Sequence, residues 1–256
     1  MESPLSILSR TLSILLIAAQ LHAIVAIKPR EVGENPGLTG EVAGAFDTKR
    51  GNTETDSYSA AFELQYDSNA SYLVWGMVTA AYGEASGVKN TNNVYGHLRY
   101  IENIRGQKLA EEVFAQIEED EFKSIKDRFL LGAGLRAKLL RPKQGWGGLF
   151  LGAGAFLEYV GYSTGIDPAE RNVRFNSYIA YSLSMANDSK FILDASYQPK
   201  VNDFGDYLTS VSATLEIQIY RQLYLGFATV YAHDSKPAIG VKEDDFSQKT
   251  LIKYKF

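Results

Sequence analysis

The chain has no cysteine among its 256 residues, which excludes disulfide staples, thiol catalysis and Cys-ligated metal centres. Beyond its N-terminal region no apolar run approaches about 18 residues, so it cannot cross a bilayer as helices. A barrel of strands is the one way left for it to span. Proline is scarce at 7 and tryptophan at 2, whereas glycine reaches 22, tyrosine 16 and phenylalanine 13. That mix suits a β protein with bulky residues in its strands and tight approaches between them. Charge of one sign is also lacking: 26 Lys+Arg against 30 Asp+Glu give a net charge of −4. No basic stripe of the kind nucleic acid requires is present.

Residues 1–26 carry one basic residue, Arg10, before a charge-free run over 11–27 that is richest in Leu, Ile and Ala between Leu12 and Ala19. This reads as a secretory signal peptide. Ala23 and Ala26 offer cleavage points, although Leu21 or Ile24 before them is bulkier than usual. The competing reading is a single anchoring helix, but Gln20 and His22 interrupt a run already at or below the length that spans about 30 Å. Cleavage leaves about 230 of the 256 residues, enough for one barrel and not two ordinary domains. Loss of Glu2 with Arg10 leaves the net charge unchanged. The expected organisation is a signal peptide over 1–26, an N-terminal periplasmic segment over 27–36 and a barrel over 37–256.

At the other end Thr250, Ile252, Tyr254 and Phe256 alternate with Leu251, Lys253 and Lys255. A strand finishing on an aromatic residue is the sorting signature of bacterial outer-membrane barrels, which must seal their last strand against the first. Tyr254 and Phe256 are therefore the expected signal for the barrel-assembly machinery. Some soluble β proteins also end this way, so the weight comes from agreement with the N-terminus.

From Gly37 onward an alternation of about ten residues followed by a turn repeats along the chain, the weak periodic signal of a transmembrane barrel. In 57–67, for example, Tyr58, Ala60, Phe62, Leu64 and Tyr66 oppose Ser57, Ser59, Glu63, Gln65 and Asp67. About twelve strands are expected, near 37–48, 57–67, 71–82, 93–104, 109–118, 128–141, 147–162, 173–185, 190–198, 207–219, 223–233 and 246–256. Short connections at 68–70, 105–108, 141–146, 186–189 and 220–222 alternate with longer, more polar ones at 49–56, 83–92, 119–127, 163–172, 199–206 and 234–245. Short periplasmic turns and long outer loops are the habit of outer-membrane barrels. The long set is thus expected outside, with both termini on the periplasmic side.

A soluble lipocalin-like barrel would show the same periodicity with its apolar face inward. The membrane reading instead puts the polar face in the lumen, lined by Glu63, His97, Arg99, Arg136, Glu158, Arg174, Asp194 and Glu216. Its acidic members are interleaved with basic ones, and Glu41, Lys138 and Lys253 share their parity. A single-sign ring would argue for ion selection. A balanced set is expected to pair across a narrow interior, with Arg136 and Arg174 meeting Glu63, Glu158, Asp194 or Glu216. Twelve strands lie between the filled interior of eight and the open channel of sixteen.

Several features resemble one bacterial family. Gly51-Asn52-Thr53 after the first strand, Glu63-Leu64-Gln65-Tyr66, Tyr82-Gly83, the loop from Asn90 to Asn93, Arg99-Tyr100, the acidic stretch leading to Phe122, Asp127-Arg128 and Gly132-Ala133-Gly134-Leu135 resemble the salt-induced outer membrane protein family, a domain of unknown function. The resemblance covers nearly all of the chain after the signal segment, through loose turn and barrel features. The run Glu118-Glu119-Asp120-Glu121 is heavier than the family pattern. The resemblance implies an outer-membrane barrel and an association with salt, and supplies no catalytic residue.

Enzymatic constellations are sparse. A lipid-modifying enzyme at the barrel rim would need a Ser and His pair near lipid. His97 has lumen parity, and His233 with Asp234 and Ser235 forms a run of neighbours that cannot readily relay a proton. The glycine doublets Gly132 with Gly134 and Gly152 with Gly154 lack the helix a phosphate loop requires, and read as packing positions that make room for long neighbours such as Arg136 or Glu158. Glu118, Glu119, Asp120, Glu121, Asp127, Glu243, Asp244 and Asp245 match no calcium-loop spacing and read as a solvated outer rim. The expectation is a monomeric outer-membrane barrel in contact with lipid, without cofactor, metal or nucleic acid, that is structural or stress-related and gives narrow passive passage to small solutes. The alternative is the lipid-modifying rim enzyme.

Overall fold

The computed structural model describes residues 26–49, 55–105, 108–140 and 147–256. Residues 1–25 of the expected signal peptide, the motif Gly51-Asn52-Thr53 and the short connection expected at 141–146 lie outside the described residues. Twelve strands follow in order: β1 (Gly37–Lys49), β2 (Thr55–Asp67), β3 (Tyr72–Ala85), β4 (Val88–Arg105), β5 (Leu109–Asp120), β6 (Ile125–Leu140), β7 (Gly148–Tyr162), β8 (Glu170–Ser184), β9 (Lys190–Lys200), β10 (Asp203–Tyr220), β11 (Leu223–Asp234) and β12 (Asp244–Lys255). Each pairs antiparallel with the next, and β12 returns to β1, closing the barrel.

Parity along each strand decides which face is which. Leu38 is 65% exposed and Ile252 60%, with Phe62, Val78, Leu98, Ile117, Leu131, Leu157 and Ile179 also outside. Arg99 and Glu112 are each 1% exposed, in the interior. The polarity is the inverse of a lipocalin's, and it extends around the wall, far beyond the few hundred Å² of apolar patch a soluble monomer tolerates. Even the outward hydroxyl of Ser177 is satisfied internally, donating to the Tyr197 carbonyl at 3.0 Å.

The pairing runs further than the hydrophobic alternation. β4 and β10 have 18 residues each, where a tilted strand needs about 9–11 to cross hydrocarbon. Much of the connections expected at 83–92 and 199–206 is therefore strand, and their turns shrink to Ser86-Gly87 and Val201-Asn202. The reason is local: Glu84, Lys89, Asn90, Thr91 and Asn92 are polar on both faces, so the period vanished while the ladder continued. Ser86 and Gly87 both adopt left-handed backbone, φ 51° and 75°, the geometry of a two-residue hairpin. At this end of the barrel the connections 163–169 and 235–243 meet, the Ile239 amide donating to Asp167 at 3.2 Å while Ala238 is buried beneath. The 3-10 turn Glu121–Lys123 is capped by Asp120, which accepts from the Phe122 and Lys123 amides at 3.0 and 3.2 Å.

The glycine doublets do serve packing. Gly134 lies opposite Gly154, and a Cβ on Gly154 would collide with the Ala133 carbonyl, so β6 and β7 approach at backbone distance. The space over Gly132 and Gly152 is filled by aromatic rings, Phe114 with Phe156 and Tyr178, rather than by Arg136 or Glu158.

Closure is the shortest ladder. β1 and β12 are in register only from Glu41 opposite Lys255 to Gly44 opposite Ile252, extended by two bonds between Gly40 and Phe256 at 2.8 and 2.9 Å. β1 meets β2, by contrast, from Gly37 opposite Asp67 to Lys49 opposite Thr55.

Candidate functional site: the barrel interior

The interior is occupied by the chain's own N-terminal segment, which was expected to lie in the periplasm. From Gly37 the chain turns back into the barrel and climbs past β2. The amides of Gly33 and Asn35 donate to the Asp67 carboxylate at 2.8–3.2 Å, Arg30 binds Gln65 and Glu63, Lys28 binds Glu63, and the Ala26 amide donates to the Tyr95 hydroxyl at 3.2 Å. Val32 packs with Leu73, Trp75 and Ile101, while Ile27 packs with Phe150, Tyr178 and Ala180, so the segment bridges opposite walls. Lys138 also binds Glu31.

Around this segment the charges alternate in sign along Arg30, Glu63, Lys28, Glu41, Lys253, Glu216 and Lys255. Lys28 lies 3.9 Å from Glu41, Lys253 lies 3.4 Å from Glu41 and 2.6 Å from Glu216, and Lys255 lies 2.6 Å from Glu216. A second alternating row crosses the far end: Glu118, Arg128, Glu158, Arg174, Asp206, Lys200 and Glu170. Arg174 donates to Glu158 at 2.8 Å and to Asp206 at 2.9 Å, and Arg128 donates to Glu158 through Nε at 2.8 Å and lies 3.3 Å from Glu118. Between the rows Arg99 lies 3.0 Å from Glu112, to which the Tyr178 hydroxyl donates at 2.8 Å. The Arg99 guanidinium sits 4.8 Å from the centre of the Phe114 ring. His97 is wedged between Trp75 and Phe114, at ring distances of 4.8 and 6.2 Å.

All eight residues singled out from parity thus face the interior, but not all pair as expected. Glu158, Arg174, Glu63 and Glu216 do meet opposite charges. Arg136 does not bind a carboxylate among the described residues: it donates to the Lys28 carbonyl at 3.3 Å and stacks 4.1 Å from the Phe150 ring centre. The inserted segment supplies that acceptor, and it lay outside the strand pattern. Asp194 has no cation at ion-pair distance among the described residues and accepts instead from Ser212 at 2.8 Å.

Sequence reasoning missed Glu112, Arg128, Lys200 and Asp206, and placed Glu118 on the rim although it is buried against Arg128. Parity carried back from Gln116 and Arg136 reaches Glu112, Glu118 and Arg128. The signal was masked because the same face also carries Phe114, Leu130 and Phe156.

Large side chains fill the half of the barrel formed by β4 to β8. The half formed by β9 to β12 with β1 and β2 presents Ser59, Ala61, Ser210, Ser212, Thr214, Ala228 and Ser247, and a cavity of about 300 Å³ remains there beside Ala26, Ile27 and Lys28. Among the described residues, this is the side on which room remains beside the inserted segment.

At the rim, His233 is bonded to Asp244 at 2.9 Å, while the Ser235 hydroxyl accepts from the Tyr207 amide at 2.7 Å, so the neighbouring trio does not assemble a relay. The acidic residues disperse likewise. Asp245 pairs with Lys123 at 3.2 Å, and Lys89 and Asn92, each donating at 2.8 Å, hold the Glu121 carboxyl below the usual range. No group of three His, Cys, Asp or Glu suited to a metal occurs among the described residues. Tyr254 and Phe256 stack at 6.4 Å on the outer surface, the Phe256 ring covering Gly40.

No curated protein matches the sequence. Similar solved structures include the NanC porin, at 10% identity over 86% of this chain and 98% of that one with a TM-score of 0.47. The translocator domain of the autotransporter NalP from Neisseria meningitidis is similar at 10% identity, 87% and 89% coverage and a TM-score of 0.47. The outer membrane channel DcaP of Acinetobacter baumannii gives 9%, 86%, 96% and 0.34. The profile described as "Protein of unknown function, DUF481" matches residues 42–256, and the chain belongs to that family.

Proposed function

We propose that the protein is a monomeric, non-enzymatic barrel of the bacterial outer membrane, exported with removal of residues 1–26 and inserted by the barrel-assembly machinery through its Tyr254 and Phe256 strand. The observation that carries the reading is the inverted polarity, apolar outside and charged within. Its activity is narrow passive passage of small solutes along the small-residue side of the lumen, throttled by residues 27–36. A role under salt or other envelope stress belongs to the same proposal. It is supported by the two rows of alternating charge, whose carboxylates Glu63, Glu216, Glu118 and Glu158 are buried, because buried pairs are screened far less by salt than exposed ones. The mature protein should sediment with outer membranes, migrate differently on gels before and after boiling, and give small conductance steps in a planar bilayer. Recovery in the soluble periplasmic fraction, or a bilayer silent at every voltage, overturns it.

A further inference from the structure

Charge around the cavity beside the inserted segment is matched except at two places. Three lysines, Lys28, Lys249 and Lys253, line it with the carboxylates of Glu41, Glu63, Glu216 and Asp194. Glu63 binds Lys28 and Arg30, Glu41 lies 3.4 Å from Lys253, and Glu216 lies 2.6 Å from both Lys253 and Lys255. The two groups left over are of opposite sign. Among the described residues Asp194 accepts from the Ser212 hydroxyl and meets no cation, and Lys249 meets no carboxylate at ion-pair distance. Thr79 is unmatched as well: it is 4% exposed on the same cavity, and its hydroxyl has no hydrogen-bond partner among the described residues.

The topology keeps these groups apart. Asp194 on β9 and Lys249 on β12 are separated by three strand spacings, roughly 14 Å along the wall at about 4.8 Å each. Thr79 on β3 stands on the wall opposite β9, with β12 midway between them in the ring. The register runs from Asp194 through Ser212 and Val230 to Ser247, and from Lys249 through Ala228 to Thr214. No large side chain therefore stands along the wall between the two charges. A charge left unmatched in a narrow interior is costly, and a ligand carrying both signs matches the two at once.

We propose that the cavity is a binding site for a short ω-amino acid, a zwitterion whose ammonium meets Asp194, whose carboxylate meets Lys249 and whose methylenes lie against Ala228 and Val230, with the Thr79 hydroxyl as a further partner. This rests on the passage reading, for which it supplies the solute class. A singly charged solute would match one of the two groups and leave the other bare. A volume of about 300 Å³, at the small end of ligand pockets, suits a compact solute.

The test uses the mature barrel, in dodecyl maltoside for calorimetry and in phosphatidylcholine vesicles for flux, with 5-aminopentanoate as probe. Pentanoate and pentylammonium each keep one of its charged ends. Wild type should bind the probe saturably and each control about tenfold more weakly, the effect of losing one charged hydrogen bond. Asp194→Asn should lower affinity for the probe about tenfold, to that for pentanoate, and Lys249→Gln should lower it as much, to that for pentylammonium. A residue that merely supported the fold would not exchange one selectivity for the other. Removal of residues 1–26 would leave an ammonium on Ile27, whose side chain packs on Ala180, the register partner of Asp194. Were that ammonium the partner of Asp194, pentanoate would bind wild type as well as the probe does. That result, or unsaturable binding of the probe, overturns the proposal and leaves the passage reading standing. Both are read on wild type, so they decide the matter even if neither variant folds. Saturable binding that depends on Asp194 and Lys249, in a barrel that passes neither ions nor probe, overturns the passage and leaves the site.

Discussion

Glu63 is the carboxylate from which the inserted segment hangs, and its replacement by Gln should open the lumen. It accepts from both Lys28 and Arg30, whose side chains are 27% and 21% exposed against 6% for Glu63 itself. A hydrogen bond to a charged group contributes about 1.5–3 kcal/mol when buried, and partial exposure of the two cations argues for the lower end. Glu63→Gln keeps the shape and removes the charge, so the two contacts together should lose roughly 2–3 kcal/mol. At about 1.4 kcal/mol per factor of ten, the ratio of inserted to released segment falls roughly 30- to 140-fold. What remains includes the Asp67 cradle for the Gly33 and Asn35 amides, the bonds of Arg30 to Gln65 and of Arg136 to the Lys28 carbonyl, the Glu31 contact with Lys138 and the burial of Val32 and Ile27. Single-channel recordings of Glu63→Gln should therefore show larger or more frequent openings. Val32→Asp, which forces a charge between Leu73 and Ile101, should amplify them. Traces from both variants that superpose on wild type would show that the segment does not obstruct the passage.

Three other outcomes follow from the geometry. Glu158→Ala strips one carboxylate from Arg128 and Arg174 while Glu118 and Asp206 remain, and should cost about 3–5 kcal/mol; on gels the folded band should disappear at a clearly lower temperature than in wild type, and an unchanged transition would contradict the network. Gly154→Val should prevent β6 and β7 from approaching and yield no heat-modifiable form, whereas the same substitution at Gly165, whose added Cβ meets nothing within 4 Å, should only strain a loop with φ 69°. Phe256→Asp should impair membrane insertion far more than Lys255→Gln, because it removes the ring over Gly40; equal insertion would mean that the terminal strand is not read during assembly.

All twelve strands were legible because outward residues such as Tyr58, Phe62 and Tyr66 recur at a spacing of two against Glu63 and Gln65. The inward face was harder, since Trp75, Tyr95, Phe114, Phe156 and Tyr178 occupy it beside the charges and blur the polarity of the lumen. The strand ends at 83–92 and 199–206 were missed where both faces turn polar. The inserted segment was invisible for a deeper reason. Residues 26–36 have no period, and their place is set by Glu63, Asp67 and Trp75, which are distant in sequence and come together only once the barrel exists.

The row of alternating charge from Arg30 to Lys255 also acts as a ruler for closing the cylinder. Lys253 reaches Glu41 and Glu216 together only if β12 meets β1 with Glu41 opposite Lys255. A slip of one residue would turn both lysines toward the outside, and a slip of two would bring Leu251 to the place where the Lys253 ammonium is needed. With so short a ladder at the seam, backbone bonds alone discriminate poorly among these offsets. The side-chain charges therefore encode the stagger, and with it the width of the finished cylinder.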